Sequence, residues 1–593
     1  MDEGLIDLMA ARAREAGEAP AIVSPDGTAI GYGALAGRVR EIGDAVAAAG
    51  IGPRDRIGIV VPDTRAFALA FLGAVRTATA APIDARLPPA QLAGQFDRLR
   101  LTAVLTSPGL RERIAPLLAG RRLLVLSAEG GFAAGIEAAG AAAPAPPPRR
   151  PGGDDVAVLL STSGSEGTPK TVPITHRNFA VRVARVAQWF DLTPADRSLC
   201  IMPLVHHSGL SNHLIVPLLT GGSTVLADGP EPGHVLDMIV RHRPTWFSAS
   251  PTIVAALVDR AKAEPARIAG HALRFIRVAT AAAPAALLAD VERLFGIPAV
   301  QNYGLTETGT IVSNPLPPRA RRRDTVGLAV GDAVVAVVDD DGRPLPPGGV
   351  GEIVVGDDGV MGGYDGEPPR SPPTFLDGRF RTGDLGTFDP DGHLRLVGRR
   401  KEAIKRGGAT IAPAEVDAVL AAHPDVAAAA AFALPHPTLG EEVYAAIVLR
   451  PGATTAPDTI LRDAGGRLSP AHRPKQVFVV DALPQTAIGK PLRHALAQRF
   501  AGAAVRSGAA ARAPLDPMES MVAGLWAHAL GQDQVDPDRG FAAQGGDAQR
   551  AAALAAALYA ALDMDVPAAA LMHPGTTVRT IAASARPRPA RPL

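Results

Sequence analysis

The sequence predicts an α/β protein with mostly parallel sheets, followed by a small helical module. Short apolar runs alternate with helical patterns over residues 30–130 and 223–295, which is typical of βαβ units. Short strands separated by Gly, Pro and Asp turns over 325–400 indicate a β-rich subdomain. Residues 516–585 show helical periodicity instead.

The individual elements follow from the same patterns. The expected strands are 56–61, 102–105, 223–226, 245–248, 275–278, 426–433, 443–449 and 475–480. The expected helices are 65–77, 89–98, 234–241, 253–263, 285–295, 413–422, 457–466, 518–530, 548–562 and 577–583. The mixture after residue 402 indicates a small α+β lobe, and low complexity at 129–153 predicts a flexible surface excursion.

Composition limits the class of protein. A chain of 593 residues is too long for a single core, so several domains are expected. A net charge of +1 gives no reason to expect nucleic acid or a membrane as partner. Cys200, the single cysteine, excludes an intrachain disulfide and a cysteine-rich zinc site. No apolar signal segment is visible, so a cytoplasmic location is expected.

The stretch 161-STSGSEGTPK-170 is a candidate phosphate loop. It follows an apolar run at 156–160 and combines small hydroxyls, glycines and a lysine. Glycines bring backbone N–H groups close to an anion, and the other side chains add donors and positive charge. A polar turn between two elements is the alternative. The stretch is not a Walker loop, because Thr168 and Pro169 separate Gly167 from Lys170.

This stretch resembles the T-S-G-[ST]-[TE]-G-x-P-K signature of the adenylate-forming enzymes. These include acyl- and aryl-CoA ligases, peptide-synthetase adenylation domains and luciferases. Four later stretches resemble the remaining motifs in the family's order: 301-QNYGLTETG-309, 381-RTGDLG-386, 398-GRRKEAIKRGG-408 and 484-PQTAIGKPLR-493. The resemblance covers roughly residues 10–500.

The resemblance implies an ATP site with Mg²⁺. Tyr303 is expected to stack on adenine, Thr306 to hydrogen-bond the α-phosphate and Glu307 to hold Mg²⁺. Asp384 is expected to accept the ribose hydroxyls, assisted by Arg399. A capped strand end, a capped turn and a solvated basic face are the alternatives. The full set assigned to ATP or AMP is Thr162, Ser163, Gly164, Ser165, Gly167, Lys170, Asn302, Tyr303, Gly304, Thr306, Asp384 and Arg399.

The resemblance also implies a reaction in two halves. A carboxylate attacks the α-phosphorus of ATP and pyrophosphate leaves, and a thiol then attacks the acyl-adenylate and releases AMP. Lys490 is the expected stabiliser of the charge that develops in the first transition state. Lys401 falls at the hinge about which the lobe 401–500 is expected to rotate between halves.

The acid is expected to be a small carboxylic acid. Peptide-synthetase adenylation domains that take α-amino acids place an aspartate after an aromatic in the region that 203-PLVHHSGLSNH-213 resembles. This stretch contains His206 and His207 but no carboxylate, and a buried ammonium without a counter-charge would cost several kcal/mol. An α-amino acid is therefore disfavoured. His206 falls at the family's aromatic gate, and a structural histidine is the alternative. The stretches 279-ATAAAP-284 and 311-IVSNPLP-317 resemble the oxalate–CoA ligase type.

The last module resembles a peptidyl or acyl carrier domain, with 545-GGDAQ-549 in place of the usual G-G-[DH]-S-[LI]. Ala548 stands where the family's serine receives phosphopantetheine, so this position cannot be primed, whether the alanine is natural or engineered. The expected domains are 1–400, 401–500, a linker at 501–515, the carrier at 516–585 and a disordered tail at 586–593.

The leading hypothesis is therefore an ATP-dependent acid-activating enzyme fused to a carrier, transferring acid to a phosphopantetheine thiol. One alternative is a stand-alone acyl-CoA ligase, using CoA, whose degenerate carrier serves docking. Another is a non-catalytic scaffold. Further carrier or synthetase modules are possible partners in trans.

Overall fold

The computed structural model describes residues 4–129, 132–139, 150–162, 170–281, 283–407, 409–436, 438–485, 491–508, 516–530, 532, 535–562, 564–573 and 575–584. The chain folds into two compact units, Met1–Ala497 and Gln498–Leu593. Over the described ranges, no helix has the length and apolar character needed to cross a membrane.

Two large sheets organise the first part of the chain. Their strands are β1 (Pro20–Val23), β2 (Ala29–Gly31), β3 (Arg56–Val60), β4 (Thr79–Pro82), β5 (Ala103–Thr106), β6 (Arg122–Glu129), β7 (Ala133–Ala139), β8 (Val156–Thr162), β9 (Lys170–Thr175), β10 (Arg197–Cys200), β11 (Ser223–Leu226), β12 (Trp246–Ala249), β13 (Phe275–Val278), β14 (Ala299–Leu305), β15 (Gly309–Ser313) and β16 (Leu328–Ala329). One sheet has the order β16-β15-β14-β13-β12-β10-β11-β1-β2 and the other β7-β6-β5-β3-β4-β8-β9. Their central pairs, such as β12 with β13 and β3 with β5, are parallel. The mostly parallel α/β fold is therefore confirmed.

Helices cover these sheets. They are α1 (Leu5–Ala16), α2 (Tyr32–Ala48), α3 (Thr64–Val75), α4 (Pro89–Arg98), α5 (Arg111–Ile114), α6 (His176–Trp189), α7 (Val216–Thr220), α8 (Pro232–His242), α9 (Pro251–Ala263) and α10 (Ala285–Phe295). A π-helix, Ser208–Ile215, precedes α7. Helix α3 is buried from Ala66 to Val75 because its sequence is apolar on all faces.

A smaller sheet follows, as the Gly/Pro/Asp turns predict. Its strands are β17 (Val335–Val338), β18 (Gly351–Val355), β19 (Phe375–Leu376), β20 (Arg379–Phe388) and β21 (Leu394–Arg399). They pair in the order β17-β18-β20-β19, and β21 pairs with the other side of β20 in antiparallel register. This pairing places Asp384 directly opposite Arg399.

The α+β lobe combines one sheet with helices. Its elements are β22 (Ile404–Arg406), β23 (Ala409–Ile411), α11 (Pro413–Ala421), β24 (Val426–His436), β25 (Gly440–Leu449), α12 (Pro457–Gly465), β26 (Gln476–Val479) and α13 (Arg493–Gly508). The long β24–β25 hairpin is the centre of the lobe, and Val416, Leu420 and Ile460 pack into its core.

The last unit is helical, as expected. It contains α14 (Pro517–Leu530), α15 (Ala548–Leu562), α16 (Ala568–Leu571) and α17 (Val578–Ser584). Trp526 and Phe541 meet edge to face in the core of this unit, with ring centroids 5.3 Å apart. Glu519 on α14 pairs with Arg579 on α17 at 3.2 Å.

Two expectations from the sequence were wrong in part. The low-complexity stretch 129–153 was expected to be a surface excursion, but Ala133–Ala139 forms edge strand β7 against β6. The linker expected at 501–515 begins as helix, because α13 continues to Gly508. Both stretches are rich in alanine, whose small side chain fits an edge strand or a helix and gives no periodic pattern.

Candidate functional site

Two buried residues, Tyr303 and Asp384, and the half-buried Arg399 form the first corner of the site. The Tyr303 hydroxyl donates to Asp384 Oδ2 at 2.8 Å, and Arg399 Nε lies 2.9 Å from Asp384 Oδ1. Tyr303 belongs to β14, and the other two face each other across β20 and β21. Burial and the neighbouring carboxylate raise the pKa of Tyr303 well above its usual value, so the phenol stays protonated and donating. The corner offers an aromatic ring beside a carboxylate.

Asn302 precedes Tyr303 and has an unused acceptor. Its side-chain Oδ1 is buried and has no hydrogen-bond partner in the described part of the chain. A buried acceptor without a partner is rare, because the lost hydration is not replaced. An exocyclic amine, such as that of adenine, is the kind of donor that would satisfy it. The trio and this acceptor therefore fit a nucleoside.

The turn after β14 carries Thr306 and Glu307, and a buried arginine holds it. Arg182 on α6 donates to the carbonyl oxygens of Thr306 at 3.1 Å, Glu307 at 2.7 Å and Gly359 at 2.7 Å. Gly309 closes the turn with φ of +68°, and a Cβ there would lie 2.7 Å from Arg182 Cδ. The turn is therefore fixed by a fully buried cation.

The Glu307 side chain is buried, and its Oε1 accepts from the Tyr364 hydroxyl at 2.7 Å. No cluster of three or more His, Cys, Asp or Glu side chains suited to a metal occurs within the part of the chain that the structure describes. A single carboxylate nevertheless fits Mg²⁺ in a nucleotide site, because that ion takes most of its other ligands from phosphates and water.

The candidate phosphate loop connects two neighbouring antiparallel strands, β8 and β9. Thr162 ends β8, and its hydroxyl donates to the Lys170 carbonyl at 3.4 Å at the start of β9. Lys170 Nζ lies 4.3 Å from the centre of the Tyr364 ring, which in turn contacts Glu307. The two ends of the loop therefore lie near the Thr306–Glu307 turn. Ser163, Gly164, Ser165 and Gly167 lie outside the described residues.

Arg98 supports the ends of this loop. Its guanidinium donates to Ser161 Oγ at 2.9 Å and to Thr171 Oγ1 at 2.8 Å, one residue from each loop end. Burial lowers the pKa of Arg98. The role of Arg98 could not be predicted from the sequence, because no local pattern links α4 to the β8–β9 pair.

The histidine stretch forms a different part of the site. His206 is half-buried, and burial lowers its pKa, so it is neutral at pH 7. Its neighbour His207 has a buried Nδ1 without a partner. The π-helix that follows is an uncommon element that often occurs at functional sites.

The lobe contributes the remaining candidates. Lys490 lies outside the described residues. Arg493, the last residue of its motif, donates to Asp417 Oδ2 at 2.6 Å and to the Ala431 carbonyl at 2.6 Å, and Glu402 lies 3.2 Å away. These contacts anchor the C-terminal end of the Lys490 stretch. Lys401 is exposed, one residue before Glu402.

Ala548 begins helix α15 of the last unit and is exposed. Asp547 stands before it, and its Oδ1 accepts from the Arg550 backbone N–H at 2.8 Å, which caps the helix. Gly546 packs its backbone against the Phe541 ring, and a Cβ there would collide with that ring. The position therefore has the exposure that a modification site needs but not the hydroxyl.

Comparisons with known proteins agree with this geometry. A model of the AMP-binding enzymes matches residues 9–365, and one of the AMP-binding enzyme C-terminal domain matches 415–490. A model of the phosphopantetheine attachment site matches 521–584. The fold and these matches define an adenylate-forming ligase that uses ATP. The chain belongs to the AMP-binding enzyme family and carries a carrier-type domain at its end.

Several relatives are CoA ligases. The chain is 39% identical over 349 residues to oxalate–CoA ligase of Saccharomyces cerevisiae, covering 58% of this chain but only 63% of that protein. It is 35% identical over 497 residues to sulfoacetate–CoA ligase of Cupriavidus necator, covering 82% of this chain and 96% of that protein. The crystal structure of ATP-bound MatB from Rhodopseudomonas palustris superposes with a TM-score of 0.76, at 27% identity, over 84% of this chain and 99% of that one.

Proposed function

We propose that this chain activates a small carboxylic acid with Mg²⁺-ATP and transfers the acyl group to the thiol of free CoA. The observation that carries the proposal is the Tyr303–Asp384–Arg399 trio beside the Thr306–Glu307 turn. It combines a ring for adenine, a carboxylate for ribose and a fixed turn for phosphate. The relatives named for CoA ligation, of oxalate and of sulfoacetate, support a small acid and CoA as acceptor.

In this proposal the protein orients groups and neutralises charge. Tyr303 and Asp384 position the nucleoside, and Thr306 donates to the α-phosphate as the acid's oxygen approaches phosphorus. Glu307 would hold Mg²⁺, which would supply positive charge for the pyrophosphate that leaves. Lys490 stabilises the charge that develops on the α-phosphate and the attacking carboxylate. His206 is the gate residue for the acid. Burial lowers its pKa, so the ring is neutral and forms no ion pair with the acid's carboxylate.

Free CoA is the proposed acceptor because the chain's own carrier position is Ala548. Alanine has no oxygen for a phosphodiester, so this domain cannot hold the phosphopantetheine thiol. Transfer to a phosphopantetheine thiol on a carrier in trans is the second candidate, which the match to the phosphopantetheine attachment model favours. With either acceptor, Lys401 is the hinge about which the lobe rotates between adenylation and thioester formation.

A screen for product tests the proposal. The chain is incubated with Mg²⁺-ATP, CoA and a panel of aliphatic, aryl and dicarboxylic acids, and acyl-CoA and pyrophosphate are measured. We expect acid-dependent pyrophosphate release and acyl-CoA in equal amounts. The Lys490→Ala variant should bind ATP as the parent does but form neither product, because the charge that Lys490 stabilises develops only in the transition state. An exposed lysine, Lys475, provides the matched Lys475→Ala control.

Two results would refute the assignments separately. Pyrophosphate without acyl-CoA for every acid would exclude free CoA as acceptor. Activity of Lys490→Ala within about tenfold of the parent, equivalent to ~1.4 kcal/mol, would remove Lys490 from the transition state.

A further inference from the structure

Arg277 on β13 is a buried arginine that the proposed mechanism does not use. Its side chain is 0% exposed, and its guanidinium lies over the rings of Phe190 at 5.0 Å and Trp246 at 5.9 Å. Nη2 donates to Thr310 Oγ1 at 2.9 Å. Nε and Nη1 are buried and have no hydrogen-bond partner among the residues that the structure describes. Two sets of N–H groups of a cation are therefore left unsatisfied in an apolar core.

No carboxylate of the described chain pairs with Arg277. Arg274, three residues earlier, shows the contrast, since its Nη1 lies 2.6 Å from Asp196 Oδ1. Burial lowers the pKa of Arg277 to about 10, which still leaves it charged at neutral pH. A buried charge without partners is costly, and functional sites are where such costs are retained.

His213 adds a second free donor to the same place. Its ring is fully buried and stacks on Trp246 with centroids 5.0 Å apart, next to the Arg277 guanidinium. His213 Nε2 lies 3.3 Å from the Ser248 backbone nitrogen and 2.6 Å from the Ser248 hydroxyl oxygen. The backbone N–H can only donate, so Nε2 is the acceptor and the hydroxyl donates to it as well. The proton of the neutral ring is therefore on Nδ1, which has no partner within the described ranges. Burial, with Arg277 nearby, lowers the pKa of His213 to about 3, which keeps the ring neutral.

The position of these donors connects them to the acid side of the site. Thr310, which receives Arg277 Nη2, lies on β15 directly after the Thr306–Glu307 turn. Burial, with the nearby charges of Arg182 and Arg277, lowers the pKa of His207, which is adjacent to His206. Its Nδ1 is buried and has no partner among the described residues. Arg277 is therefore one hydrogen bond away from the strand that follows the Thr306–Glu307 turn.

We propose that Arg277 and His213, with His207 beside them, bind a second anionic group on the substrate, so that the enzyme selects short acids carrying two negative charges. This inference rests on the proposed function. The reacting carboxylate lies at the Thr306–Glu307 turn, and the distal anion accepts from Arg277 Nε, Arg277 Nη1 and His213 Nδ1. A planar carboxylate suits the two guanidinium donors, which form a fork. An α-amino acid is excluded, because its ammonium would face this cation.

The test compares acids of matched length. Acid-dependent ATP–pyrophosphate exchange is measured with malonate against propionate and with succinate against butyrate. We expect kcat/KM for the better dianion to exceed that of its monoanionic partner by at least ~100-fold, since a site with buried donors rejects a substrate that leaves them unpaired. Arg277→Met should abolish this preference and raise the relative activity of the monoanion. Arg274→Met, which removes an arginine paired to a carboxylate, should keep it.

The outcomes separate the two proposals. If the parent adenylates monoanions as well as dianions, or if Arg277→Met keeps the preference, the anion site is refuted and the proposed function stands. If none of these acids supports exchange, the anion site is refuted, and if no acid of the full aliphatic, aryl and dicarboxylic panel does, the proposed function is refuted as well. Should Arg277→Met fail to fold, Arg277→Lys keeps the charge without the fork. An unchanged preference in that variant contradicts bidentate recognition, and a reduced one supports it.

Discussion

Tyr303 contributes two groups to the corner that it forms with Asp384 and Arg399, its ring and its hydroxyl, and separate substitutions can test each. Its ring is the surface expected to stack on adenine, and its hydroxyl donates to Asp384 Oδ2 at 2.8 Å. Arg399 holds the other oxygen of the same carboxylate. Because Asp384 keeps that ion pair when the phenol is removed, the hydroxyl should matter less than the ring.

We therefore predict that Tyr303→Ala weakens ATP binding by ~1–3 kcal/mol, or about 5–150-fold in Kd, through loss of stacking. Tyr303→Phe keeps the ring and should stay within about fivefold of the parent. Isothermal titration with a non-hydrolysable ATP analogue measures both. Equal losses in the two variants would show that the hydroxyl, and not the ring, carries the interaction.

Residues that lie in contiguous motifs could be predicted from the sequence. Residues that contact the site from distant positions along the chain could not. Tyr303, Asp384 and Arg399 lie in recognisable stretches, and the structure brings them together. Arg182 reaches the Thr306 turn across 124 residues, and Arg277 reaches Thr310 across 33. An arginine in a helix or strand has no local signal that it will be buried, so only the fold identifies such residues.

Helix α6 joins several parts of the first unit through buried polar side chains. Its first residue, His176, accepts the Leu5 backbone N–H at 3.1 Å through Nδ1, which fixes the start of α1. Thr175 and Asn178 form a capping box at the same end of α6. Burial lowers the pKa of His176 to about 4, since the site stabilises the neutral ring that can accept this bond.

Acid should therefore weaken the attachment of α1. The folded pKa of about 4 lies below the unfolded value of 6.5, so the stabilisation is fully present above pH 6.5 and is lost as the pH falls through 4. A shift of this size corresponds to ~3 kcal/mol. His176→Asn keeps an acceptor that does not titrate. We predict that urea unfolding of this variant depends less on pH between 7 and 4 than that of the parent.

A substitution at an exposed histidine provides the control. His494 lies at the surface of α13, and His494→Asn should leave the pH dependence of unfolding unchanged. Equal pH dependence in the parent and in His176→Asn would show that the ring titrates normally and that the α1 attachment does not depend on it.

Elements with strong periodicity were predicted closely. Strand β13 and helix α10 have the bounds that the sequence indicated, because apolar residues there follow one clear period and Pro284 and Gly296 mark the helix ends. Strand β7 and the extension of α13 were missed, since alanine-rich sequence leaves the choice of structure to tertiary pairing.

At the scale of the whole molecule, the chain joins an adenylate-forming ligase to a carrier-type unit that lacks its acceptor. The helical unit keeps its core, with Trp526 and Phe541 in contact, and keeps a capped helix α15 at the modification position. Position 548 is an alanine, which has no hydroxyl.

We predict that a phosphopantetheinyl transferase with CoA adds no mass to the parent chain, and that Ala548→Ser is primed. The exposed N-terminus of α15 would place the new hydroxyl where backbone N–H groups favour a phosphodiester. Intact-protein mass spectrometry measures both. Ala543→Ser, which adds a hydroxyl at another exposed position of this unit, should remain unprimed. A phosphopantetheine adduct on the parent would refute the assignment of Ala548.

The oxygen atoms of the acid give the most direct test that this chain is an adenylating ligase. The chain is supplied with Mg²⁺-ATP, CoA and an accepted acid labelled with ¹⁸O in its carboxylate, and the products are resolved by mass spectrometry. If the carboxylate attacks the α-phosphorus and CoA then displaces AMP, one ¹⁸O atom appears in AMP and none in pyrophosphate. Label in orthophosphate, formed together with ADP, would show an acyl-phosphate route and would contradict the account.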